Sequence, residues 1–251
     1  MPTYEFGQAR LSAMLERPVQ FHDTCESTQI EARLWAQRGG PSGSLVVADG
    51  QTAGKGRLGR AWHSPHGVNL AFSMILRPQI PVRSAPLICL AAGVGLAEAL
   101  DLQIKWPNDL LSPTGQKVAG ILAEMETSSG SLEHAILGVG VNVNQIDFPS
   151  ELPNPGSIAL LRGHQDRAAV LRDCVQSIEH WCDQLRFSPL PMLEVWRRRS
   201  AHLGKAVRVG TVVGTAEDIR EDGALLIRTS DGGLSPILAG DVEMVSQIER
   251  D

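Results

Sequence analysis

Lys105-Trp106-Pro107-Asn108-Asp109, followed by Lys117-Val118-Ala119-Gly120-Ile121-Leu122-Ala123-Glu124, is the stretch on which the fold turns. A proline restricts the residue before it to extended backbone. Trp106 therefore prolongs a strand that begins near residue 103, and Lys105 and Asp109 flank a rigid bend. Ser112-Pro113-Thr114-Gly115 makes a turn into a second strand, over 115–126, and a third follows at 135–143. The segment just upstream, 85–100, is apolar on nearly all sides, the pattern of a helix buried against a sheet. Helices packed on such a run of strands predict an α+β fold with a mixed or antiparallel sheet.

Towards the N-terminus, 4–15 reads as a short helix ended by Pro18, followed by a strand at 19–21. Ser27-Thr28-Gln29-Ile30-Glu31 reads as a helix start, with Thr28 and Glu31 at capping-box spacing, and Gly39-Gly40 ends that helix. Strands are expected at 45–48 and 69–76. Downstream, 167–187 sets Leu171, Cys174, Val175, Ile178, Trp181, Cys182 and Leu185 on one helical stripe. A further helix from about 192 closes at Gly204. Beyond Gly204 come short strand-like runs at 206–209, 211–216, 224–228, 234–238 and 242–245. Turns at Glu221-Asp222-Gly223 and Asp231-Gly232-Gly233 separate them, and such spacing suits a small barrel of the SH3-like type. The expected domains are 1–203 and 204–251.

The 251 residues are enough for a substantial core, and 43% apolar with 20% charged residues is ordinary for a soluble protein. A net charge of -5 gives no broad electrostatic reason to bind nucleic acid. Cys25, Cys89, Cys174 and Cys182 form no Cys-x-x-Cys pair, so zinc and redox motifs are not indicated; reduced thiols in a cytoplasmic protein are expected. No signal peptide or membrane span is expected either.

Gly54-Lys55-Gly56-Arg57-Leu58-Gly59-Arg60 spells a dinucleotide fingerprint after a strand. A Rossmann loop must open a helix, whereas Trp62-His63-Ser64-Pro65-His66-Gly67 continues as loop. What is left is a flexible segment whose cations can surround anionic oxygens. Asp109 could hold magnesium, or belong to a plain Asn-Asp turn. Lys117 is either a snorkelling edge residue or a ligand contact, and Gly120 inside a strand marks a close approach. Asn142 is either a ligand contact or a strand terminator. Ser27 and Thr28 have sufficient work as helix caps. His63-x-x-His66 reads as loop, and Arg197-Arg198-Arg199 as the solvated face of a late helix. No Ser-His-Asp arrangement is legible.

Ser27-Thr28, Gln51, the 54–60 loop with Trp62-His63-Ser64-Pro65, Lys105–Asp109 and 117–124 together resemble, in order and spacing, the bacterial biotin protein ligases. The resemblance runs from about residue 20 to 145 and, more weakly, into the C-terminal domain. It implies a class II synthetase-like catalytic fold and an ATP-dependent reaction through biotinoyl-5′-AMP, with magnesium as cofactor. It implies biotin contacts from Ser27, Thr28, Gln51, Lys55, Gly56, Arg57, Lys117 and Gly120. Arg57, Arg60, Trp62, Lys105, Asn108, Lys117 and Asn142 would meet the nucleotide, with Lys117, Arg57 and Lys105 catalytic and Asp109 on the metal. Trp62 would pack over the folded loop. The implied partner is a biotin carboxyl carrier protein, of acetyl-CoA carboxylase or a related enzyme, and the implied state a monomer or weak homodimer. The family loop often has arginine where Lys55 stands, and lysine lacks the bidentate geometry. The early Ser27-Thr28 motif leaves no room for the DNA-binding domain of regulatory members, so no operator binding is expected. Competing readings are a lipoate–protein ligase and a non-catalytic, biotin-responsive binding protein.

Overall fold

A computed structural model of the chain describes residues 7–245, so residues 4–6 of the first expected helix lie outside it. The helices are α1 Gln8–Leu15, α2 Thr28–Gln37, α3 Leu87–Leu100, α4 Ile158–Arg162, α5 Arg167–Gln184 and α6 Leu190–Arg199. Strands β1 Val19–Cys25, β2 Leu45–Gln51, β3 Leu70–Leu76, β4 Gln103–Lys105, β5 Asp109–Leu111, β6 Lys117–Ser128 and β7 Ser131–Val141 form one sheet. Its order is β1-β2-β3-β7-β6-β5-β4. The pair β1–β2 is parallel and the others antiparallel, because α2 supplies the crossover that a parallel pair needs. Strands β8 Ala206–Val209, β9 Val212–Ile219, β10 Leu225–Arg228, β11 Leu234–Ile237 and β12 Glu243–Met244 form a second, antiparallel sheet, ordered β11-β10-β9-β8-β12. Two elements were not expected. The bend after Trp106 continues directly into β5, pairing Lys105 with Asp109 as a hairpin. The short helix α4 is capped by Ser157, whose side chain accepts from the Leu160 amide.

Side chains along a strand alternate between the two faces of the sheet, and here both faces are covered. Val46, Ile75 and Ile136 meet Ala32, Ala36 and Trp35 of α2. Leu45, Val47, Met74 and Leu137 belong to the larger core on the other face, with α3 and α5. The apolar 82–100 stretch has the length and hydropathy of a membrane span, yet most of it is buried inside the protein. Its helix approaches α5 closely because Gly95 has no side chain. A Cβ there would sit 2.7 Å from the Ile178 amide nitrogen and 2.8 Å from its Cα, both backbone atoms that cannot swing aside. Gly95→Ala is expected to destabilise the fold by about 1–3 kcal/mol, the overpacking cost, despite alanine's better helix propensity. Urea unfolding of the two proteins measures it.

The second sheet is anchored to the first. Trp106, 2% exposed, donates from Nε1 to the Gly223 carbonyl at 3.1 Å. Arg197 donates to Asp218 at 2.6 Å and to the Ile219 carbonyl, while Arg199 instead joins α6 to the end of α3 through Asp101 at 2.6 Å. The Arg197-Arg198-Arg199 run is therefore not simply a solvated face: its first member joins α6 to the C-terminal strands.

His202 lies at the junction, fully buried, with neither ring nitrogen hydrogen-bonded and its ring edge-on to Trp196. Burial, helped by the charges of Lys105 and Lys205, pushes its pKa down to about 4. The folded protein thus keeps His202 neutral where the unfolded chain binds a proton. The part of the stability that depends on His202 is expected to be lost as pH drops from about 6.5 to about 4, by at most about 3 kcal/mol. Unfolding midpoints across that window, compared with His202→Phe, test it: the variant should show the shallower slope.

Candidate active site

Past Ile136, the α2-facing positions of β7 are Gly138 and Gly140, and Gly140 is paired with Gly120 on β6. Three glycines strip one patch of the sheet of side chains and leave a trough beyond the start of α2. Gln29 fills the trough over Gly138, where any Cβ would overlap its Oε1. Trp62 lies flat on the rest: a Cβ at Gly140 would overlap its indole, and one at Gly120 would come within 3.2 Å of Cζ3. The close approach at Gly120 is therefore made by Trp62. This corrects the expectation that Trp62 packs over the folded loop, since the trough offers an apolar bed that the loop does not. The indole nitrogen is buried without a hydrogen-bond partner.

Above this floor opens a cavity of about 530 Å³. Every residue expected to meet biotin, nucleotide or metal lines it. Ser27, Thr28 and Gln51 form one wall; Lys55, Gly56, Arg57, Arg60 and Trp62 come from the loop. Lys105, Asn108 and Asp109 come from the β4–β5 hairpin, and Lys117, Gly120 and Asn142 from β6 and its neighbour. His63 joins them, while His66 turns away to Asp23, at 3.2 Å, and Asp49, at 3.6 Å.

The hydrogen bonds explain how each is held. The Thr28–Glu31 capping box does not form: α2 starts at Thr28 itself, its N-cap is Ser27, and the Ser27 side chain makes no cap bond either. Gln51 Oε1 takes that place, accepting from the Thr28 amide at 2.8 Å and from its hydroxyl at 3.2 Å. An amide oxygen brought from β2 satisfies the orphan donor of the first turn just as a local cap would. Lys117 Nζ lies 2.7 Å from Asp109 Oδ1 and 5.8 Å from the Trp62 ring centroid, so a carboxylate and an aromatic face orient it. Asn108 is a hub: it donates to the Ile121 carbonyl at 3.0 Å and accepts from Arg57 Nη1 at 2.9 Å. Asn142 is committed to the backbone, donating to the Gly156 carbonyl at 2.9 Å. Cys89 Sγ lies 3.7 Å from the Pro107 carbonyl, but burial pushes its thiol up to about 12, so no thiolate serves this site.

Several lining residues were not anticipated: Gln29 and Ser73, Gly138 and Gly140, residues 152–155, and Asp241 to Met244 of the second sheet. The Gly138-x-Gly140 alternation is a signal that could have been read, because period 2 places both glycines on one face. Asp241 has no local signal at all.

Chemically, the cavity has five cationic side chains around an apolar floor, with Asp109 as the carboxylate on that floor. As a metal donor Asp109 stands with Lys117 on one oxygen, and among the described residues it belongs to no group of three or more clustered His, Cys, Asp or Glu ligands. That arrangement fits only an ion whose other ligands arrive with a bound phosphate.

The comparisons agree with this geometry. Residues 23–142 match the model of the biotin/lipoate A/B protein ligase family, and 202–245 that of the biotin protein ligase C-terminal domain. The bifunctional ligase/repressor BirA of Bacillus subtilis is 38% identical over 239 residues, which is 89% of this chain and 73% of that protein. The biotin–[acetyl-CoA-carboxylase] ligase of Paracoccus denitrificans is 36% identical, over 82% of this chain and 92% of its own. Biotin protein ligase from Aquifex aeolicus, solved with biotin and ATP, superposes with a TM-score of 0.78 at 29% identity, covering 91% of this chain and 98% of that one. With both parts of the chain matched by these family models and relatives 36–38% identical over most of their own length, this chain belongs to the biotin protein ligases.

Proposed function

We propose that this chain joins biotin to ATP, forming biotinoyl-5′-AMP and releasing pyrophosphate, and then passes the biotinoyl group to a lysine of a biotin carboxyl carrier protein. The observation that carries the reading is Lys117, held 2.7 Å from Asp109 on the floor of the cavity that Arg57, Arg60, Lys55 and Lys105 also line. The first step brings a carboxylate oxygen against the α-phosphorus of a polyanion, so it needs positive charge and alignment more than a strong base. Lys117 bridges the biotin carboxylate and the α-phosphate. Arg57, Arg60 and Lys105 face the phosphates, with Trp62, Asn108 and Asn142 on the nucleotide. Ser27, Thr28, Gln51, Lys55, Gly56 and Gly120 surround biotin, whose flat ureido ring needs few, well-aimed hydrogen bonds. Magnesium arriving with ATP would take Asp109 as its protein carboxylate and neutralise phosphate charge. In the second step the carrier amine attacks the acyl carbon, AMP leaves, and the amine proton passes to solvent. The loop over the cavity excludes water from the hydrolysable anhydride.

The division into a catalytic domain, 1–203, and a β domain, 204–251, belongs to the same proposal, as does a monomer or weak homodimer. Four free cysteines support a reducing, cytoplasmic compartment. Incubation with ATP, magnesium, biotin and the carrier domain of an acetyl-CoA carboxylase tests the function, with the intact mass of the carrier as readout. One biotinoyl group per carrier is expected. Lipoate in place of biotin giving the faster modification would overturn the substrate.

A further inference from the structure

Arg57 and Arg60 are held across the domain boundary. Arg57 Nη1 lies 3.1 Å from Asp241 Oδ1 and 3.4 Å from the Gly240 carbonyl, while Arg60 Nη2 lies 2.6 Å from Asp241 Oδ2. One carboxylate, on the segment between β11 and β12, thus spans two guanidinium groups of the glycine-rich loop. The three side chains are unequally buried: Arg57 is 23% exposed, Asp241 28% and Arg60 67%. Within the loop the main chain closes on itself. Lys55 and Ala61 form an isolated bridge within it, and Leu58 at its tip has a positive φ of 57° and is 76% exposed. Backbone bonds from the Gly56 amide to the Arg60 carbonyl at 2.7 Å and from the Trp62 amide to the Gly54 carbonyl at 2.9 Å set the turn of this glycine-rich loop, but they do not fix where its arginine side chains point. Its cations therefore point at the cavity because partners outside the loop hold them, Asn108 from the hairpin and Asp241 from the C-terminal sheet.

We infer that Asp241 is a positioning residue by which the C-terminal domain holds the loop cations over the reaction cavity, so that this domain takes part in retaining the acyl-adenylate. The inference rests on the reading of the site given above. Asp241 touches no reacting atom; it acts through Arg57 and Arg60. Its charge also keeps two like-charged guanidinium groups side by side before any phosphate enters.

The test uses the full chain. Trypsin cleaves after Arg57 and Arg60 only when the loop leaves its ties, so the rate of those cuts in ligand-free protein reports the latch without any turnover. Asp241→Asn is expected to speed them about tenfold and Asp241→Glu to restore most of the protection. Biotinoyl-AMP should dissociate about tenfold faster from Asp241→Asn, and added salt should speed dissociation from the wild type more than from the variant, since one ion-pair acceptor is already gone. Asp218→Asn is the control: it breaks a different interdomain ion pair, to Arg197, without touching the loop. Equal cleavage in Asp241→Asn and wild type would overturn the inference, and so would equal acceleration by Asp218→Asn, because the effect would then be general undocking. Tighter ATP binding by Asp241→Asn would also overturn it, making Asp241 a competitor of phosphate instead. A wild-type chain that fails to biotinylate would count against the proposed function alone, as the cleavage assay needs no substrate.

Discussion

Lys117→Ala lowers biotin-dependent ATP–pyrophosphate exchange by about 10²–10³-fold, the scale on which one charge-stabilising donor acts in a water-poor site. The loss should fall on kcat and kcat/KM together, because the ammonium is needed most where the carboxylate and α-phosphate meet. The structure adds a complication that the motif alone conceals. Lys117 is the cation on Asp109, whose side chain is only 18% exposed, so the variant leaves a half-buried carboxylate without its ion-pair partner. Lys117→Ala combined with Asp109→Asn removes that charge, and Asp109→Asn alone measures what losing the magnesium carboxylate costs, so the three variants together separate the effects. If the double variant regained near-wild-type exchange, the lysine would be a structural counter-ion and its catalytic assignment would be wrong.

Arg57→Gly is expected to release biotinoyl-AMP about 10–10²-fold faster. A hydrogen bond to a charged group contributes about 1.5–3 kcal/mol, and about 1.4 kcal/mol is tenfold. The substitution also removes the bonds of Arg57 to Asn108, Gly240 and Asp241, while that of Arg60 to Asp241 remains. Its effect should exceed that of Asp241→Asn, which loses an anchor but keeps the guanidinium. Freed adenylate reacts with whatever amine it meets, so bystander proteins added to the assay should become biotinylated on exposed lysines. An Arg57→Gly enzyme that labels only the carrier, and holds its adenylate as long as the wild type, would remove the loop from the retention mechanism.

The elements legible from the chain were those with strong local cause. The apolar helix α3, the amphipathic α5 and the turn-separated strands after Gly204 each follow from periodicity or turn chemistry. The elements that were missed lack such causes. β5 is three residues long and exists because Lys105, Ile104 and Gln103 pair back onto it. The cap of α2 was misread because its true acceptor, Gln51, is 23 residues away. Trp62 was misplaced because the bed that receives it is assembled from β6 and β7, on strands distant in the chain.

Residue types and their spacing along the chain settled the secondary structure of the long elements, the presence of a cationic glycine-rich loop, and the family likeness. They could do so because each depends on side-chain chemistry within a few neighbours. Only the tertiary structure decided that three glycines on paired strands make one trough, that Lys117 shares its charge with Asp109, and that a carboxylate from the far C-terminal sheet reaches two arginines near residue 60. Hydrogen bonds and ion pairs act over about 3 Å of space, and separation along the chain carries no record of which distant groups folding will bring within that reach.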